Sequence, residues 1–290
     1  MTLLFSELKN NLKTTELSDF ILKEQSEETG LDENEIIEKV KIILNSMKSA
    51  VKNGLNNSLS SASGLSGNYT SILNNALNSI LISPLGVKAA KYSLAVIEEN
   101  ARMGKIAACP TAGSSGIVPG VLLAAGEEFN KNDDDLIKAL MVSGEIGRII
   151  SSKIPLAGAV AGCQAECGAA SAMASGALCY LSGYDLDTIF NAVALNLKNI
   201  MGLTCDPVAG LVEIPCVKRN PFLSLHAITS SYLAMSGIKS LIPVDDVIDA
   251  MRETGILMSP KLKESSEAGL AVTKTGLSIK DKLYKIWHAK

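Results

Sequence analysis

The main chemical feature of this sequence is a pair of cysteines, Cys205 and Cys216, that lie eleven residues apart. Pro207 follows the first cysteine closely and Pro215 directly precedes the second, so both thiols are expected at rigid turns rather than inside helices. Thiols held in this way suit a preformed metal or cluster site better than a core. The short cysteine pairs of structural zinc sites and the cysteine runs of common ferredoxins are both absent. The spacing therefore leaves the identity of the metal open.

A second pair of cysteines lies in the alanine- and glycine-rich segment 162–183. Cys163 and Cys167 are four residues apart and therefore share one face of a predicted helix. For either thiol, plain packing is as good an explanation as a chemical role, because buried cysteines are common in helices rich in small residues. Glu166 differs, since a carboxylate in so apolar a segment needs a partner or a function, and Gln164 shares this need to a lesser degree.

A third segment, 108–120, combines small hydroxyl residues with glycines and leads into a predicted helix whose first turn contains Pro119. Backbone N–H groups at such a loop can hold a carboxylate or a phosphate. The spacing matches neither a P-loop nor a dinucleotide-binding loop, so an anion-binding loop and a tight structural turn both remain open. The candidate ligand-binding residues are Thr111, Gly113, Ser114, Ser115 and Gly116.

The two histidines add little to these candidates. His226 lies on a predicted helix and is expected to be a satisfied structural residue, and His288 lies in a tail that is expected to fray. No local signature of a Ser-His-Asp triad accompanies them.

Helical segments account for most of the chain, and the alternating pattern of β-strands is almost absent. With 47% hydrophobic but only 4% aromatic residues, and with 23 glycines, the sequence predicts a mainly α fold with close helix packing through small side chains. The predicted helices cover residues 84–104, 118–130, 134–152, 163–182, 185–201, 220–240 and 243–257.

The first 60 residues predict two further amphipathic helices, the second opened by a capping box of Asp32 and Glu35. This pair is expected to provide packing and an oligomer surface. The polar segment 56–70 favours a connection or domain boundary, with ligand contact by its SGLSG stretch as the alternative. We therefore expect an N-terminal helical segment, 1–60, and a helical domain, 61–290, or one continuous domain.

Charge and hydropathy exclude several classes of function. The formal net charge is -3 and the 27 basic residues are scattered, so nucleic-acid binding is not expected. The apolar patch at the N-terminus is too short for a secretory signal, and the longest apolar stretches, 154–162 and 116–126, fall short of the roughly 18 residues of a membrane span. A cytoplasmic protein follows, in which six cysteines indicate metal, catalysis or burial rather than disulfides.

Three blocks taken together resemble a known family: PTAGSSGIVPG, GCQAECGAASAMASGAL and GLTCDPVAGLVEIPCVKRN, in this order. They are similar to the α chain of the iron-sulfur-dependent bacterial L-serine dehydratases. The similarity extends from SGLSG at 63–67 to GLAVTKTG at 269–276 and so covers most of the chain. The CDPVAGLV and IPC segments are its most specific part.

The resemblance implies that Cys163, Cys205 and Cys216 bind a [4Fe-4S] cluster in a helical catalytic domain. Cys167 remains a rival to Cys163, and Cys109 is expected to be a packing residue. Three thiolates leave one iron without a protein ligand, as a Lewis acid acting on a substrate hydroxyl requires.

The implied reaction converts L-serine to pyruvate and ammonia and serves amino-acid catabolism and gluconeogenesis. Residues 111–116 would then hold the substrate carboxylate. The general base stays open among three candidates, which are Lys105, Glu166 and Lys218.

The resemblance also predicts a partner. Single-chain members of the family carry a second, α/β domain that this sequence lacks, so we expect a separate β chain. Some relatives end in a cysteine that reaches the cluster, and this sequence, which ends in HAK, is not expected to do so.

Three alternative functions compete with serine dehydration. A cluster-dependent dehydratase of threonine or another β-hydroxy acid remains open, because one methyl group changes discrimination by only about 1–3 kcal/mol. A non-catalytic metal-binding or redox module also remains open. A pyridoxal phosphate lyase would require an α/β fold, which the helical pattern does not support.

Overall fold

The computed structural model describes residues 4–12, 16–75 and 81–288. Their only β-type pairings are two isolated bridges, so the predicted mainly α fold is confirmed for this part of the chain. The α-helices are α1 Phe5–Asn11, α2 Leu17–Thr29, α3 Glu33–Leu55, α4 Tyr69–Asn75, α5 Pro84–Ala101, α6 Ile117–Glu128, α7 Asp133–Lys153, α8 Gly158–Ala161, α9 Cys163–Leu181, α10 Leu186–Lys198, α11 Cys216–Met235, α12 Val244–Leu257 and α13 Lys274–His288.

Helix α9 is the centre of the fold, with α6, α7, α10 and α11 packed around it. All of its residues except Glu166 and Tyr180 are buried. Small side chains allow this, because a Cβ added at Gly176 would lie only 2.4 Å from the Cδ1 atom of Ile146 on α7. The small-residue packing expected from the composition is therefore confirmed at the central helix.

The N-terminal region differs from the two predicted helices, because its described residues form three. Glu16 starts α2 by accepting hydrogen bonds from the backbone N–H groups of Ser18 and Asp19. Gly30 ends α2 in a left-handed conformation, with φ of 71°. The predicted capping box of Asp32 and Glu35 then opens α3, as expected.

The start of α11 lies four residues before the predicted one. The side-chain amide of Asn220 donates to the carbonyl of Cys216 at 3.0 Å, which stabilises the first turn ahead of Pro221. The helix therefore begins at Cys216 itself and includes Pro221. His288, expected in a frayed tail, ends α13 with its ring 4.1 Å from that of Tyr284.

Helix α3 packs against α5, α6 and α7.

No described helix is both long and apolar enough to cross a lipid bilayer. The division into residues 1–60 and 61–290 stays a prediction.

Two glycine substitutions test the close packing of helices. A Cβ at Gly54 of α3 would lie 2.0 Å from the backbone oxygen of Ala95 on α5, so Gly54→Ala forces two helix backbones apart. We expect it to lower the free energy of unfolding by about 1–3 kcal/mol, measured by urea denaturation.

Gly144→Ala is the matched control, since nothing lies within 4 Å of a Cβ added at this exposed position of α7. It should raise the free energy of unfolding by about 0.5–1 kcal/mol through helix propensity alone. Equal effects of the two substitutions would contradict the close approach of α3 and α5.

Candidate metal centre

Three segments that are distant in sequence bring their cysteines together inside the protein. Cys163 is the first residue of α9, Cys205 lies in the loop after α10, and Cys216 is the first residue of α11; all three are buried. The sulfur atoms of Cys163 and Cys205 and a carboxylate oxygen of Glu166 lie within 4.8 Å of one another. The N-terminus of α9 favours the thiolate form of Cys163.

Gln164 holds the start of α9 in place. Its side-chain amide is buried, and the apolar sequence around it predicted that it needs a hydrogen-bond partner. Its backbone N–H donates to the carbonyl of Leu203 at 3.0 Å, and its Oε1 accepts from the N–H of Gly202 at 2.9 Å. Its Nε2 donates to the carbonyl of Met251 on α12 at 3.0 Å. Gln164 thus holds Cys163 beside the segment that contains Cys205, and its role is structural.

The loop of Cys205 is held by a later segment that sequence reasoning did not connect with it. The N–H of Cys205 donates to the carbonyl of Leu262 at 2.8 Å, and its carbonyl accepts from the N–H of Glu264 at 2.7 Å. Cys205 lies outside the helices, as expected, but in an isolated parallel bridge with Lys263 rather than in a turn, whereas Cys216 opens a helix directly after Pro215.

Cys163 is the electrostatic centre of the cluster of thiols. Hydrogen bonds from the thiols of Cys167 and Cys205, together with the nearby charge of Arg219, lower the pKa of Cys163 to about 3 against the effect of burial. The same hydrogen bond and burial raise the pKa of Cys205. Burial, then the charge of Cys163, raises the pKa of Cys216 to about 12. A bound metal would displace the remaining protons, since thiolates are the ligands.

Glu166 lies beside Cys163 and is only partly buried. Its Oε2 is 3.7 Å from the Cys163 sulfur, and its Oε1 accepts a hydrogen bond from the hydroxyl of Thr111. Burial and then the negative charge of Cys163 raise the pKa of Glu166 to about 7. A carboxyl group with such a pKa can both accept and release a proton near neutral pH.

The loop 111–116 contacts Glu166 on the side opposite Cys163. A Cβ at Gly113 would lie 2.7 Å from Glu166 Oε1, so a larger residue here would displace the Glu166 carboxylate. The hydroxyls of Thr111 and Ser114 are 3.1 Å apart, whereas Ser115 is buried and donates to the carbonyl of Ala112 at 2.7 Å.

The backbone of this loop offers donors as well. Within the described residues, the N–H groups of Ala112, Gly113 and Ser114 donate to no protein acceptor. The carboxylate-binding role of Thr111, Gly113, Ser114, Ser115 and Gly116 stays a prediction.

Of the three candidate bases, Glu166 alone contacts a cysteine sulfur in the described part of the chain. Lys105 is exposed, and Lys218 places its Nζ 4.8 Å from the ring centre of Tyr69 at the surface. His226 is satisfied structurally, as expected, through a 3.0 Å hydrogen bond between its Nε2 and the carbonyl of Asn196.

The other cysteines divide into one neighbour and two distant residues. Cys167 hydrogen-bonds to Cys163 one turn further along α9, so the choice between them as a ligand stays a prediction. Cys179 lies sixteen positions beyond Cys163 on the same helix, or about 24 Å along its axis. Cys109 lines an apolar cavity beside Met141 and Met173, and burial alone raises its pKa to about 12.

Two neighbouring residues of α11 were missed as site residues. Arg219 pairs with Asp206 at 2.9 Å, and Asn220 bonds to the backbone of the loop 111–116. The sequence could have indicated Arg219 as a site residue, because a residue three positions after Cys216 in a helix lies on the same face as Cys216.

Comparison with known proteins identifies the family. Residues 12–271 match the family model described as serine dehydratase alpha chain. The chain belongs to this family. It is 39% identical over 270 residues to the probable L-serine dehydratase, alpha chain, of Bacillus subtilis, covering 92% of this chain and 90% of that protein. It is 38% identical over 273 residues to the L-serine dehydratase, alpha chain, of Peptoniphilus asaccharolyticus, covering 93% of each chain.

Longer relatives match only in part. L-serine dehydratase TdcG of Escherichia coli is 38% identical over 184 residues, which are 62% of this alpha chain but 40% of the E. coli protein. The resemblance on which the sequence analysis depended is therefore confirmed.

The polar segment 56–70 of this alpha chain is an ordered loop attached close to the cysteines. Three serine hydroxyls donate to the buried carboxylate of Glu213, three residues before Cys216. The N–H of Ser61 also donates to the carbonyl of Ser66 at 2.8 Å. The hydrogen bonds to the Glu213 carboxylate are 2.6 Å long from Ser61, 2.7 Å from Ser63 and 2.5 Å from Ser66.

Glu213→Ala should release this loop, because it leaves buried hydroxyls without an acceptor. We expect a loss of about 2–3 kcal/mol in the free energy of unfolding and faster chymotrypsin cleavage at Leu59 or Leu65. Glu253→Ala, at an exposed carboxylate, is the control and should change neither. Unchanged cleavage in Glu213→Ala would show that other contacts hold the loop.

Proposed function

We propose that this chain is the catalytic alpha chain of an iron-sulfur-dependent L-serine dehydratase, which converts L-serine to pyruvate and ammonia. The observation that carries the proposal is that Cys163, Cys205 and Glu166 place ligand atoms within 4.8 Å of one another, with the buried Cys216 close enough to be affected by the charge of Cys163, in a chain of this family. The two alpha chains of matching length are named for the same substrate.

The donor set fits an iron-sulfur cluster. Buried sulfur atoms without a nearby free histidine are typical ligands of iron-sulfur centres. A Cβ at Gly158 would lie 2.9 Å from the Cys205 sulfur and 3.0 Å from Glu166 Oε2, so this glycine keeps one side of the thiol group open. Cys163, Cys205 and Cys216 would hold a [4Fe-4S] cluster. When bound, a cluster with three protein thiolates supplies a Lewis-acidic iron that weakens the bond from carbon to the substrate hydroxyl.

The loop 111–116 would bind the substrate carboxylate. Its three unpaired N–H donors supply hydrogen bonds to an anion, and the Thr111 hydroxyl stands between this loop and Glu166. A serine bound there would present its α-carbon near Glu166, because the loop and the carboxylate are in direct contact at Gly113.

Glu166 is the base that we propose among the three candidates. Thr111 orients its carboxylate through Oε1, which leaves Oε2 on the side of Cys163 to accept the α-proton. Loss of this proton and of the β-hydroxyl as water yields aminoacrylate. Aminoacrylate tautomerises to the imine, which takes up water and releases pyruvate and ammonia without help from a protein group.

We also propose that a separate β chain completes the enzyme. The chain matches alpha chains along nearly their whole length, but it covers only 40% of the longer TdcG. A cytoplasmic, oligomeric enzyme of amino-acid catabolism, supplying pyruvate for gluconeogenesis, is consistent with this arrangement.

The first test is iron and sulfide analysis of the anaerobically purified protein, combined with serine-dependent pyruvate release. We expect about four iron and four sulfide per chain, and less than about one tenth of that iron in Cys205→Ala or Cys216→Ala.

Cys179→Ala is the matched control, because this cysteine is equally buried but lies at the far end of α9. It should keep the iron and the activity. An iron-free protein that still deaminates serine would refute the proposal, and faster turnover of threonine than of serine would change the substrate.

The second test is Glu166→Gln, which keeps the shape of the side chain but removes the base. We expect kcat to fall about 100-fold or more while the iron content stays at the wild-type level. Glu253→Gln should leave both unchanged. Wild-type kcat in Glu166→Gln would exclude this residue as the base, and loss of iron would instead make its carboxylate a metal ligand.

A further inference from the structure

The first turns of α11 contain two neighbouring residues that reach in different directions. Arg219 is mostly buried and extends toward the loop of Cys205. Its NH1 group donates to the carbonyl of Thr204 at 2.8 Å, and its NH2 group donates to Asp206 Oδ1 at 2.9 Å. One planar guanidinium therefore holds the residues on both sides of Cys205.

Asp206 is itself held from a second direction. Its Oδ2 accepts from the backbone N–H of Leu270 at 2.8 Å. A Cβ at Gly269 would lie 2.5 Å from the same oxygen, so the later segment closes tightly over this carboxylate. Arg219 therefore binds a carboxylate that is already oriented.

Asn220 reaches toward the loop 111–116 and is fully buried. Its Oδ1 accepts from the N–H of Gly116 at 3.0 Å, and its Nδ2 donates to the carbonyl of Gly113 at 2.8 Å. The same Nδ2 donates to the carbonyl of Cys216 at 3.0 Å. One amide thus joins both ends of the loop's glycine stretch to the turn that starts with Cys216.

These contacts connect three separate parts of the site to one helix end. Cys216 belongs to α11, the Cys205 loop is attached through Arg219, and the loop 111–116 is attached through Asn220. We propose that Arg219 and Asn220 are positioning residues, Arg219 for the cysteine ligand on the 203–206 loop and Asn220 for the substrate loop. The inference rests on the proposed function for its catalytic consequences, but the mechanical part concerns the chain alone.

The mechanical part is tested by amide hydrogen exchange on the full chain. In Arg219→Gln, exchange should accelerate about tenfold or more in peptides that cover residues 203–206 and stay unchanged at 111–116. Asn220→Ser should give the reverse pattern. Asn220→Asp, which keeps the acceptor for Gly116 but loses both donated bonds, is the second variant if Asn220→Ser does not fold.

The catalytic part is tested on the anaerobic holoenzyme by iron content, iron release to a chelator and serine kinetics. Arg219→Gln should release iron about tenfold faster, with KM for serine within about twofold of wild type in the loaded fraction. Asn220→Ser should raise KM about tenfold, which corresponds to about 1.4 kcal/mol, at unchanged iron content. Arg219→Lys should lie between wild type and Arg219→Gln, since an ammonium keeps the charge but not the fork.

Arg252→Gln and Asn199→Asp are the matched controls, the first at an exposed ion pair and the second at a helix end outside the site. They should change neither the amide exchange rates, nor the iron content and release, nor the serine kinetics. If both variants at 219 and 220 accelerate exchange in both loops alike, or in neither, the division of roles is refuted. A wild-type protein without iron would refute the proposed function alone, because the exchange pattern still decides the mechanical part.

Discussion

The site depends on keeping a thiolate inside the protein. Cys163 is fully buried, and its negative charge lies close to a carboxylate and two further cysteines. Removing such a charge from water is costly unless hydrogen bonds and a counter-charge replace the water. Two thiol hydrogen bonds and the guanidinium of Arg219 do so here. Burial opposes the charge on Arg219, but Cys163 and Asp206 raise its pKa, so the guanidinium stays ionised.

Several acidic groups thus surround the guanidinium of Arg219, and the charge of Cys163 also changes the pKa of Glu166. Its raised pKa follows from burial and from the neighbouring thiolate, so the group that we propose as the base owes its proton affinity to the cysteines. Binding of a metal ion or cluster to the thiols would change that charge. The protonation of Glu166 and the loading of the site are therefore coupled by the same electrostatics.

Small side chains provide the space in which this chemistry is arranged. The residues of α9 beyond Glu166 are mostly alanine, glycine and serine, so four neighbouring helices approach it closely. Close packing makes the positions of Cys163 and Glu166 insensitive to side-chain rearrangement. The loops that carry Cys205 and Thr111 have no helical hydrogen bonds of their own, and side-chain hydrogen bonds of Gln164, Arg219 and Asn220 hold them in addition to packing.

Much of the fold followed from local sequence. The seven helices predicted between residues 84 and 257 were placed within about five positions, because helix caps, prolines and glycines are local signals. The capping box at Asp32 and the structural role of His226 were predicted for the same reason, and the motif blocks led to the right family. The short α1 and the start of α11 were not, since Asp245, which accepts from the N–H of Phe5, and Asn220 act through side-chain contacts that composition does not reveal. The short α8 and the C-terminal α13 were also missed, and a frayed tail was expected in place of α13.

The site itself divides in the same way. The residue types and spacings of the sequence determined which thiols, hydroxyls and carboxylates could do chemistry, because those properties belong to each side chain and its immediate neighbours. Only the tertiary structure decided that Thr111 holds Glu166 from a separate loop, and that Arg219 and Asn220 join two loops to α11. The partners are 13 residues apart for Arg219 and Asp206, 55 for Thr111 and Glu166, and 104 for Asn220 and Gly116, so their meeting is set by the packing of separate segments and not by a local pattern.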